Sequence, residues 1–315
     1  MKVFPYNMCQ IYLSTRENMK NQELTINWHI TEACNYSCRY CFAKWNKNGK
    51  ELLHSSASIE ALMREIAKLP MLLNRYRGTD FQSIRLNLVG GEPLLYKEQV
   101  MQIIRVARQH GFALSMISNG SLLDDEWCKI IAHDFQSIGI SIDSVDIETN
   151  LSIGRHAKNY VMSSEKVLQN IQIIRKQNPN VGIKINTVIN RLNYRESLHS
   201  FIEKVNPYKW KIFKMLPIVT DNLSITDNQF QLFLENHRTL SHLIYSENND
   251  EMVDSYVMID SYGRFFQNSL QKCGGYQYSQ SICLVGAEAA LQEVFVDARK
   301  YRKRYFTLHQ KQASY

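Results

Sequence analysis

The sequence predicts an α/β protein built on a parallel β-sheet, either open or curled into a full or partial barrel. Short runs rich in β-branched residues alternate along the chain with longer segments of helical period. The connections between the runs are too long for hairpins and suit parallel crossovers. The most unusual motifs fall on a strand or just after one, where parallel α/β folds place their ligand sites. These observations together favour one shared site at the carboxyl ends of the strands.

Six segments have the composition of strands. They are residues 24–30, 83–89, 112–118, 137–143, 182–189 and 209–215. Four segments between them have a 3.6-residue apolar period and are predicted helices, at residues 58–69, 97–109, 164–176 and 195–205. Ser58 opens the first of these and is its predicted N-cap. The six strand-then-helix passes are the basis of the predicted parallel sheet.

The composition is that of a soluble globular protein, with 44% of the 315 residues hydrophobic and 21% charged. The N-terminal segment lacks the apolar run of a signal peptide, and no segment approaches the ~18 apolar residues of a membrane span. We therefore expect a cytoplasmic protein, in which cysteines are reduced. Cys9, Cys128, Cys273 and Cys283 are scattered and predicted to be isolated thiols.

The formal net charge of +7 suits nucleic acid, a polyanionic small molecule or solubility. The densest basic run is "ARKYRKRYF", residues 298–306. Like-charge runs are usually exposed, so a solvated C-terminal face is the simplest interpretation. The alternative is that this run folds over an anionic ligand.

Three cysteines cluster in "TEACNYSCRYCFAKW", at Cys34, Cys38 and Cys41. Three thiolates hold three irons of a [4Fe–4S] cube and leave the fourth iron open to another ligand. The alternatives are a zinc site completed by His29, a transient disulfide, or unrelated thiols. The close spacing in one loop after the first strand favours the cluster.

Two further motifs follow strands. In "GGEP", Gly90 and Gly91 allow a close backbone approach before Glu92, and in "SNGS" Ser118 and Asn119 open a turn. Each motif alone is also compatible with an ordinary turn.

Basic residues recur at alternate positions of the later strands. Lys184 and Asn186 share one face of a strand, and Lys209 and Lys211 share one face of the next. Arg85 on the second strand adds a further cation. Converging cations suit a polyphosphate, whereas the alternative is that these side chains are exposed to solvent.

The cysteine motif CxxxCxxC, with Tyr40 before its last cysteine, resembles that of the radical S-adenosylmethionine enzymes. This resemblance implies that S-adenosylmethionine chelates the open iron and is cleaved by one electron to a 5′-deoxyadenosyl radical. It assigns cofactor contacts to the following residues: Tyr40, Gly90, Gly91, Glu92, Ser118, Asn119, Ser141 and Arg155. Arg155 is also compatible with an ordinary surface arginine.

A longer set of segments resembles the viperins, antiviral nucleotide-modifying radical enzymes. These segments are "HITEACNYSCRYCF", "LNLVGGEPLL", "ISNGSLL", "SIDSV", "IGR", "KINTVINRLN", "NPYKWKIFK" and "DSYVMIDSYGRF". The resemblance implies a partial (βα)6 barrel over residues 1–216 and an extension over residues 217–315 that closes the substrate site. It also implies dehydration of a nucleoside triphosphate to its 3′-deoxy-3′,4′-didehydro form, a chain terminator, after loss of the C4′ hydrogen.

The resemblance assigns substrate contacts residue by residue. It places Asn27 and Asn87 near the sugar or base, with Arg85 as a further cation, and it places Lys184, Asn186, Lys209 and Lys211 on the phosphates. Tyr262 is expected to close over the nucleotide, and Lys184 or Tyr262 is the candidate general acid. Val89 and Lys209 depart from the animal proteins, which have serine and arginine there.

The resemblance also implies partners. CTP, UTP and GTP all remain possible substrates, and a flavodoxin or ferredoxin is the expected electron donor. Direct binding of nucleic acid is not expected, and neither is a membrane anchor. Two rival functions stay open: a radical enzyme acting on a peptide or cyclising GTP, and a non-catalytic iron–sulfur or zinc protein.

Overall fold

The computed structural model describes residues 22–41, 50–158, 160–217, 220–269 and 275–306. Within these ranges ten strands form one sheet. The strands are β1 Glu23–His29, β2 Ser83–Val89, β3 Ala113–Ser118, β4 Ser137–Ser141, β5 Gly182–Ile189, β6 Lys209–Lys214, β7 Ile244–Glu247, β8 Val257–Ile259, β9 Arg264–Ser269 and β10 Gly275–Ser281.

The helices of the described ranges cover the sheet and its ends. They are α1 Ser56–Ile66, α2 Leu69–Arg77, α3 Lys97–Gln109, α4 Asp125–Asp134, α5 Ile147–Ile153, α6 Ser164–Gln177, α7 His199–Val205, α8 Asp227–Asn236, α9 Asn249–Met252, α10 Ile282–Gln292 and α11 Ala298–Phe306. The predicted cap of α1 is wrong by three residues. Ser55 is the N-cap, and its hydroxyl accepts from the Ser58 amide, because the helix begins one turn earlier than its apolar period shows.

The sheet is parallel across its centre, as predicted. Its order is β10-β9-β8-β1-β2-β3-β4-β5-β6-β7, and β1 to β7 follow one another in space as they do in sequence. The chain then returns to place β8 parallel to β1 on the other side, and β9 and β10 pair antiparallel. Within the described ranges β7 and β10 are the sheet edges, so the strands do not close into a full barrel.

Strand β1 shows why the interior of this fold is polar. Leu24, Ile26 and Trp28 belong to the hydrophobic core, whereas the alternate residues Thr25 and Asn27 line an internal cavity. Period-two alternation thus directs apolar side chains outward, under the helices, and polar side chains inward. The same alternation in β2, β5 and β6 supplies more of the cavity wall.

The C-terminal part of the chain completes this sheet next to β1. β8 pairs with residues 26–28, and helix α11 reaches the start of β1. There the Thr25 amide donates to the Tyr301 hydroxyl at 2.6 Å, and that hydroxyl lies 3.3 Å from the Thr25 carbonyl oxygen. The tyrosine is almost fully buried. Residues from both ends of the chain therefore build the same wall.

Candidate active site

One cavity of about 1340 Å³ runs along the inside of the sheet. The cysteines and the two glycines of GGEP line it at the carboxyl ends of the strands, and Ser83, Gly182 and Tyr208 line it at the other end. Single drug-sized ligands occupy about 300–1,000 Å³, so this space exceeds the need of one such ligand.

All three clustered cysteines line the same cavity. Their loop is held by backbone bonds from the end of α5: the Ser37 amide donates to Gly154 O at 3.1 Å, and the Arg39 amide donates to Ile153 O at 2.9 Å. A Cβ on Gly154 would lie 2.4 Å from the Ser37 carbonyl oxygen, and its φ is +88°. Glycine is therefore needed where this helix meets the loop.

The glycines of GGEP support the cysteine loop from the other side. The Gly91 amide donates to Thr31 O at 2.7 Å, and the Glu92 amide donates to Ala33 O at 2.8 Å. A Cβ on Gly91 would lie 2.0 Å from the Ala33 carbonyl oxygen, and one on Gly90 would lie 2.5 Å from the Thr31 carbonyl oxygen. The paired glycines thus let this segment pack against the chain that leads into Cys34.

The Glu92 carboxylate lies behind the cavity wall rather than on it. It accepts from the Ser118 hydroxyl at 2.8 Å and from the Asn119 amide at 2.7 Å. Burial raises its pKa, which these bonds partly offset. Glu92 therefore joins GGEP to the SNGS turn. Ser118 and Asn119, which bond to its carboxylate, line the cavity.

Arg155 is buried and joins several parts of the site. Its guanidinium donates to Ser141 O, lies 3.3 Å from the Tyr40 hydroxyl, and lies 3.9 Å from Cys38 Sγ. The Tyr40 hydroxyl in turn donates to Asp143, which forms an ion pair with Arg155 at 3.4 Å. The alternative of a surface arginine is wrong, since Arg155 is 7% exposed.

Asp143 is a site residue that the sequence reasoning missed. Its second oxygen accepts from the Val188 amide at 2.9 Å, so it also ties the end of β4 to β5. The available signal was its position two residues after Ser141, at the end of the predicted strand 137–143, which leads to the site.

The arrangement fits a [4Fe–4S] cluster in which one iron has no cysteine ligand. Within the described residues no three His, Cys, Asp or Glu side chains are gathered to hold a single metal ion. A [4Fe–4S] cube binds each cysteine through a different iron and does not need such convergence. The cavity continues from the cysteines past Gly90, Ser118 and Arg155, which leaves room for a ligand with amino and carboxylate groups.

A group of amides lies deeper in the cavity. Asn87 Nδ2 donates to Asn27 Oδ1 at 2.7 Å, and the Ser115 hydroxyl donates to Asn87 Oδ1 at 2.8 Å. Asn186 Oδ1 is buried and has no hydrogen-bond partner among the described residues. The predicted polar contacts Asn27, Asn87 and Asn186 therefore all line the cavity, and the first two are bonded to each other.

Lys184 and Lys209 are neighbours, paired in register across β5 and β6. Burial, followed by the charges of Lys211 and Lys209, lowers the pKa of Lys184 well below its usual value. Burial, followed by Lys211 and Arg85, lowers the pKa of Lys209 to about 7. No ion pair in the described structure neutralises either ammonium group. The alternative that these two lysines are exposed to solvent is wrong.

The sequence predicts one shared site at the carboxyl ends of the strands, and for these two lysines that position is wrong. Lys209 is the first residue of β6, and Lys184 is the third residue of β5. They lie at the amino ends of the strands, opposite the cysteines, because the interior cavity follows the whole strand length. Alternation identifies the face of a strand, and it carries no information on depth.

Lys211 lies in a buried charge cluster that the sequence reasoning missed. Its ammonium forms an ion pair with Glu247 and lies 3.1 Å from the Tyr256 hydroxyl. Arg304 forms an ion pair with the same carboxylate. Burial alone raises the pKa of Glu247, but the charges of Lys211 and Arg304 lower it to about 2. Lys211 is thus a paired cation, unlike the two lysines beside it.

Arg85 is also paired. Its Nε lies 2.8 Å from the Glu23 carboxylate, and its terminal nitrogen donates to the Thr25 hydroxyl at 2.7 Å. Its charge still contributes to the lowered pKa of Lys184 and Lys209. The predicted cations therefore converge, and two of them already have counter-ions.

Tyr262 lies apart from the cavity wall. It follows β8 in a turn, where its ring lies against the Arg264 guanidinium at 5.4 Å. Its role as a lid over the nucleotide stays a prediction.

The solvated-face interpretation of residues 298–306 is partly wrong. This run forms α11, and Arg299, Arg302 and Lys303 are exposed. Arg304 and Tyr305, in contrast, line the cavity near the paired lysine. A helical period of 3.6 residues divides the run into an outer basic face and an inner face.

Comparisons with known proteins agree with this geometry. Residues 28–203 match the Radical SAM superfamily. A protein of Psychrobacter lutiphocae named S-adenosylmethionine-dependent nucleotide dehydratase is 48% identical, over 93% of this chain and 98% of that protein. A protein of the same name from Pseudoalteromonas ulvae is 39% identical, over 91% of this chain and 94% of that protein.

A solved structure, native anSMEcpe with bound AdoMet, shares the fold. It superposes with a TM-score of 0.62 at 16% identity, over 90% of this chain and 82% of that chain. None of the helices in the described ranges combines the length and apolar character needed to cross a bilayer. The family match and the two relatives show that this chain belongs to the radical SAM superfamily and, within it, to the S-adenosylmethionine-dependent nucleotide dehydratases.

Proposed function

We propose that this protein dehydrates a nucleoside triphosphate to its 3′-deoxy-3′,4′-didehydro form. The observation that carries the proposal is the single cavity with the cysteine loop at one end and two uncompensated lysines, Lys184 and Lys209, at the other. The names of the relatives in Psychrobacter and Pseudoalteromonas support the same reaction class.

The spacing within the cavity suits a nucleotide. Lys184 precedes the end of β5 by five residues, so it lies about 17 Å from the strand ends at 3.3 Å per residue. A triphosphate beside Lys184 and Lys209 places its sugar between the lysines and the cysteine loop. The amides of Asn27, Asn87 and Asn186 line the same cavity and are suited to hold sugar hydroxyls or the base.

The cysteines and the residues above them are proposed to hold the cofactors. Cys34, Cys38 and Cys41 would hold a [4Fe–4S] cluster, and Gly90, Gly91, Ser118, Asn119, Ser141 and Arg155 would hold S-adenosylmethionine. When bound, these groups supply one-electron cleavage of the sulfonium and a 5′-deoxyadenosyl radical. Tyr40 and Glu92 keep Arg155 and the SNGS turn in position.

The contribution of the protein to dehydration is mainly positioning. The sugar must be held with C4′ toward the cofactor, because an unguided radical reacts with any hydrogen in reach. Loss of the 3′-hydroxyl as water requires a proton, and one electron from the external carrier then completes the C3′–C4′ double bond. A bound triphosphate favours the charged form of Lys184, which makes this lysine a proton donor beside the sugar. Tyr262 is the alternative donor, although it lies outside the cavity wall.

The proposal includes the wider setting of the reaction. CTP, UTP or GTP is the expected substrate, a flavodoxin or ferredoxin supplies electrons in the cytoplasm, and residues 217–315 form the extension that closes the substrate side. The released product is a chain terminator for polymerases, which fits the antiviral role implied by the resemblance to viperins.

The test is an anaerobic assay of the reconstituted and reduced enzyme with ATP, CTP, GTP and UTP separately. Mass spectrometry follows 5′-deoxyadenosine and a nucleotide lighter by one water. We expect one nucleotide to give both products. Lys184→Ala should abolish the nucleotide product, whereas Lys176→Ala, on the exposed face of α6, should not. Deoxyadenosine formation with no nucleotide consumed would refute the substrate assignment.

A further inference from the structure

Strand β9 contributes an inward-facing amide to the cavity. Its residues alternate as those of β1 do: Phe265 belongs to the main hydrophobic core, whereas Phe266 packs with Met258, which lines the cavity. Asn268 is two residues beyond Phe266, so it shares that inward face, and it lines the cavity as well. Strand β8 lies between β9 and β1, and there Met258 is in register with Asn27. The C-terminal strands thus extend the polar lining that begins on β1.

The side chain of Asn268 is buried and incompletely bonded. The residue is 7% exposed, and its Oδ1 has no hydrogen-bond partner among the residues that the structure describes. Phe266 precedes it on the same face, and Tyr276 is opposite it in register on β10. A buried amide left unpaired beside apolar side chains is unfavourable. Its place on the cavity wall therefore indicates a ligand that completes its hydrogen bonds.

Asn268 is the residue of this wall that can recognise a ligand by new hydrogen bonds. In the described ranges, β8, β9 and the residue before β8 contribute Tyr256, Met258 and Asn268 to the cavity lining, none with a formal charge. The Tyr256 hydroxyl already donates to Glu247 at 2.6 Å and lies 3.1 Å from the Lys211 ammonium. Met258 offers an apolar surface. The amide of Asn268 therefore sets which polar groups a ligand must present here.

A nucleobase has the chemistry that this wall requires. Lys184 and Lys209, which suit the phosphates, belong to β5 and β6, so an uncharged part of the nucleotide is left for β8 and β9. The edge of a base presents donors and acceptors side by side, and an asparagine amide matches it with a donor and an acceptor. Met258 supplies an apolar surface for the face of the base.

We propose that Asn268 determines which base the enzyme accepts. Its Nδ2 donates to an acceptor on the edge of the base, and its Oδ1 accepts from a base N–H. This inference rests on the proposed function, because it takes a nucleoside triphosphate as the ligand. Asn268 binds the substrate in this role and takes no part in the proton or electron steps.

The test uses the reconstituted, unreduced enzyme with S-adenosylmethionine bound, so that binding is measured without turnover. Calorimetry gives the affinities for CTP, UTP, GTP and ribose 5′-triphosphate, which has the same sugar and phosphates and no base. Asn268→Leu removes both hydrogen bonds at similar volume, and Asn268→Asp replaces the donor by an acceptor. Asn236→Leu and Asn236→Asp are the matched controls, because Asn236 is exposed at the end of α8.

We expect Asn268→Leu to weaken binding of the preferred nucleotide about tenfold or more and to leave the affinity for ribose 5′-triphosphate unchanged. Asn268→Asp should shift the ratio of CTP to UTP affinity about tenfold or more toward CTP, because cytosine has an amino group where uracil has a carbonyl. The added negative charge acts on both triphosphates alike and cancels in this ratio. The Asn236 variants should match the unaltered enzyme.

Equal losses for the nucleotide and for ribose 5′-triphosphate would overturn the assignment in favour of a contact to the sugar or the phosphates. Unchanged nucleotide affinities in the Asn268 variants would show that this amide does not contact the base. Melting temperature and S-adenosylmethionine affinity report whether each variant folds, and if Asn268→Leu does not, the affinity ratio in Asn268→Asp decides alone. Failure of the unaltered enzyme to bind any of the nucleotides would instead refute the proposed function.

Discussion

Nucleotide binding should draw protons into the cavity, mainly onto Lys209 and Lys184. The pKa of Lys209 is lowered to about 7 in the free protein. At about pH 8 it is therefore about one-tenth protonated, and a triphosphate that restores an ordinary lysine pKa makes it take up about 0.9 proton. Lys184, whose pKa burial also lowers well below its usual value, adds to this uptake.

Calorimetry in two buffers measures this uptake directly. The triphosphate that turns over is titrated into unreduced enzyme at about pH 8 in Tris and in HEPES, whose ionisation enthalpies differ, and the slope of the observed enthalpy gives the protons bound. Lys209→Met should lower the uptake by most of one proton, whereas Lys176→Met should not change it. As pH rises between the free and bound pKa, affinity should fall about tenfold per unit for each such lysine.

An enthalpy independent of the buffer would refute this reasoning. It would mean that the lysines are already charged in the free protein, or that the phosphates lie elsewhere in the cavity. If the proton uptake persists in Lys209→Met, the proton is taken up by Lys184 alone.

Three further substitutions test the site. Gly91→Ala should prevent cluster incorporation, read from visible absorbance after reconstitution, because its Cβ would overlap a backbone carbonyl at 2.0 Å. Gly139→Ala should weaken triphosphate binding about tenfold or more and leave S-adenosylmethionine binding intact, because its Cβ would lie 2.7 Å from Lys184 Cε. Glu247→Gln should lower the free energy of unfolding at neutral pH by about 3–5 kcal/mol, because Lys211 and Arg304 lose a buried counter-ion. This loss should shrink as pH falls below the ordinary glutamate pKa of about 4.5 toward the folded value of about 2.

Each of these predictions has a control and an opposing outcome. Gly78→Ala changes a left-handed glycine with no neighbour within 4 Å and should retain the cluster. Normal cluster content in Gly91→Ala would contradict the packing argument, and normal nucleotide affinity in Gly139→Ala would show that Lys184 does not hold phosphate. Glu235→Gln removes an exposed partner of Arg238 and should change stability little. Equal melting of both glutamate variants would contradict the assigned charge cluster.

The central sheet could be predicted from the sequence because its signal is local. The predicted bounds of β2 and β5 match the structure, because their apolar residues alternate within a single strand. Glycines directly follow β2, and a proline lies shortly before β5. The cysteine loop, GGEP and SNGS could also be predicted as one site, because parallel strands bring their carboxyl ends together.

The charge balance of the site could not be predicted in the same way. Glu247 and Arg304 meet Lys211 only through the tertiary fold, and Arg304 is 48 residues from its partner Tyr256. Whether a lysine is free or paired thus depends on long-range packing. The inner face of α11 could not be predicted for the same reason. The helical period shows which residues share a face, but only the tertiary contact with β1 shows which face is buried.

The bond between Tyr301 and Thr25 joins positions 276 residues apart, and it determines when the enzyme is finished during synthesis. Residues 28–203, which carry all three clustered cysteines, leave the ribosome roughly a hundred residues before Tyr301. At 5–20 residues per second this interval lasts about 5–20 s. Until residues 257–259 are made β1 lacks its neighbour β8, and the thiols lie at the mouth of a half-built barrel. The three cysteines of the nascent chain are thus accessible before residues 257–306 enclose the cavity.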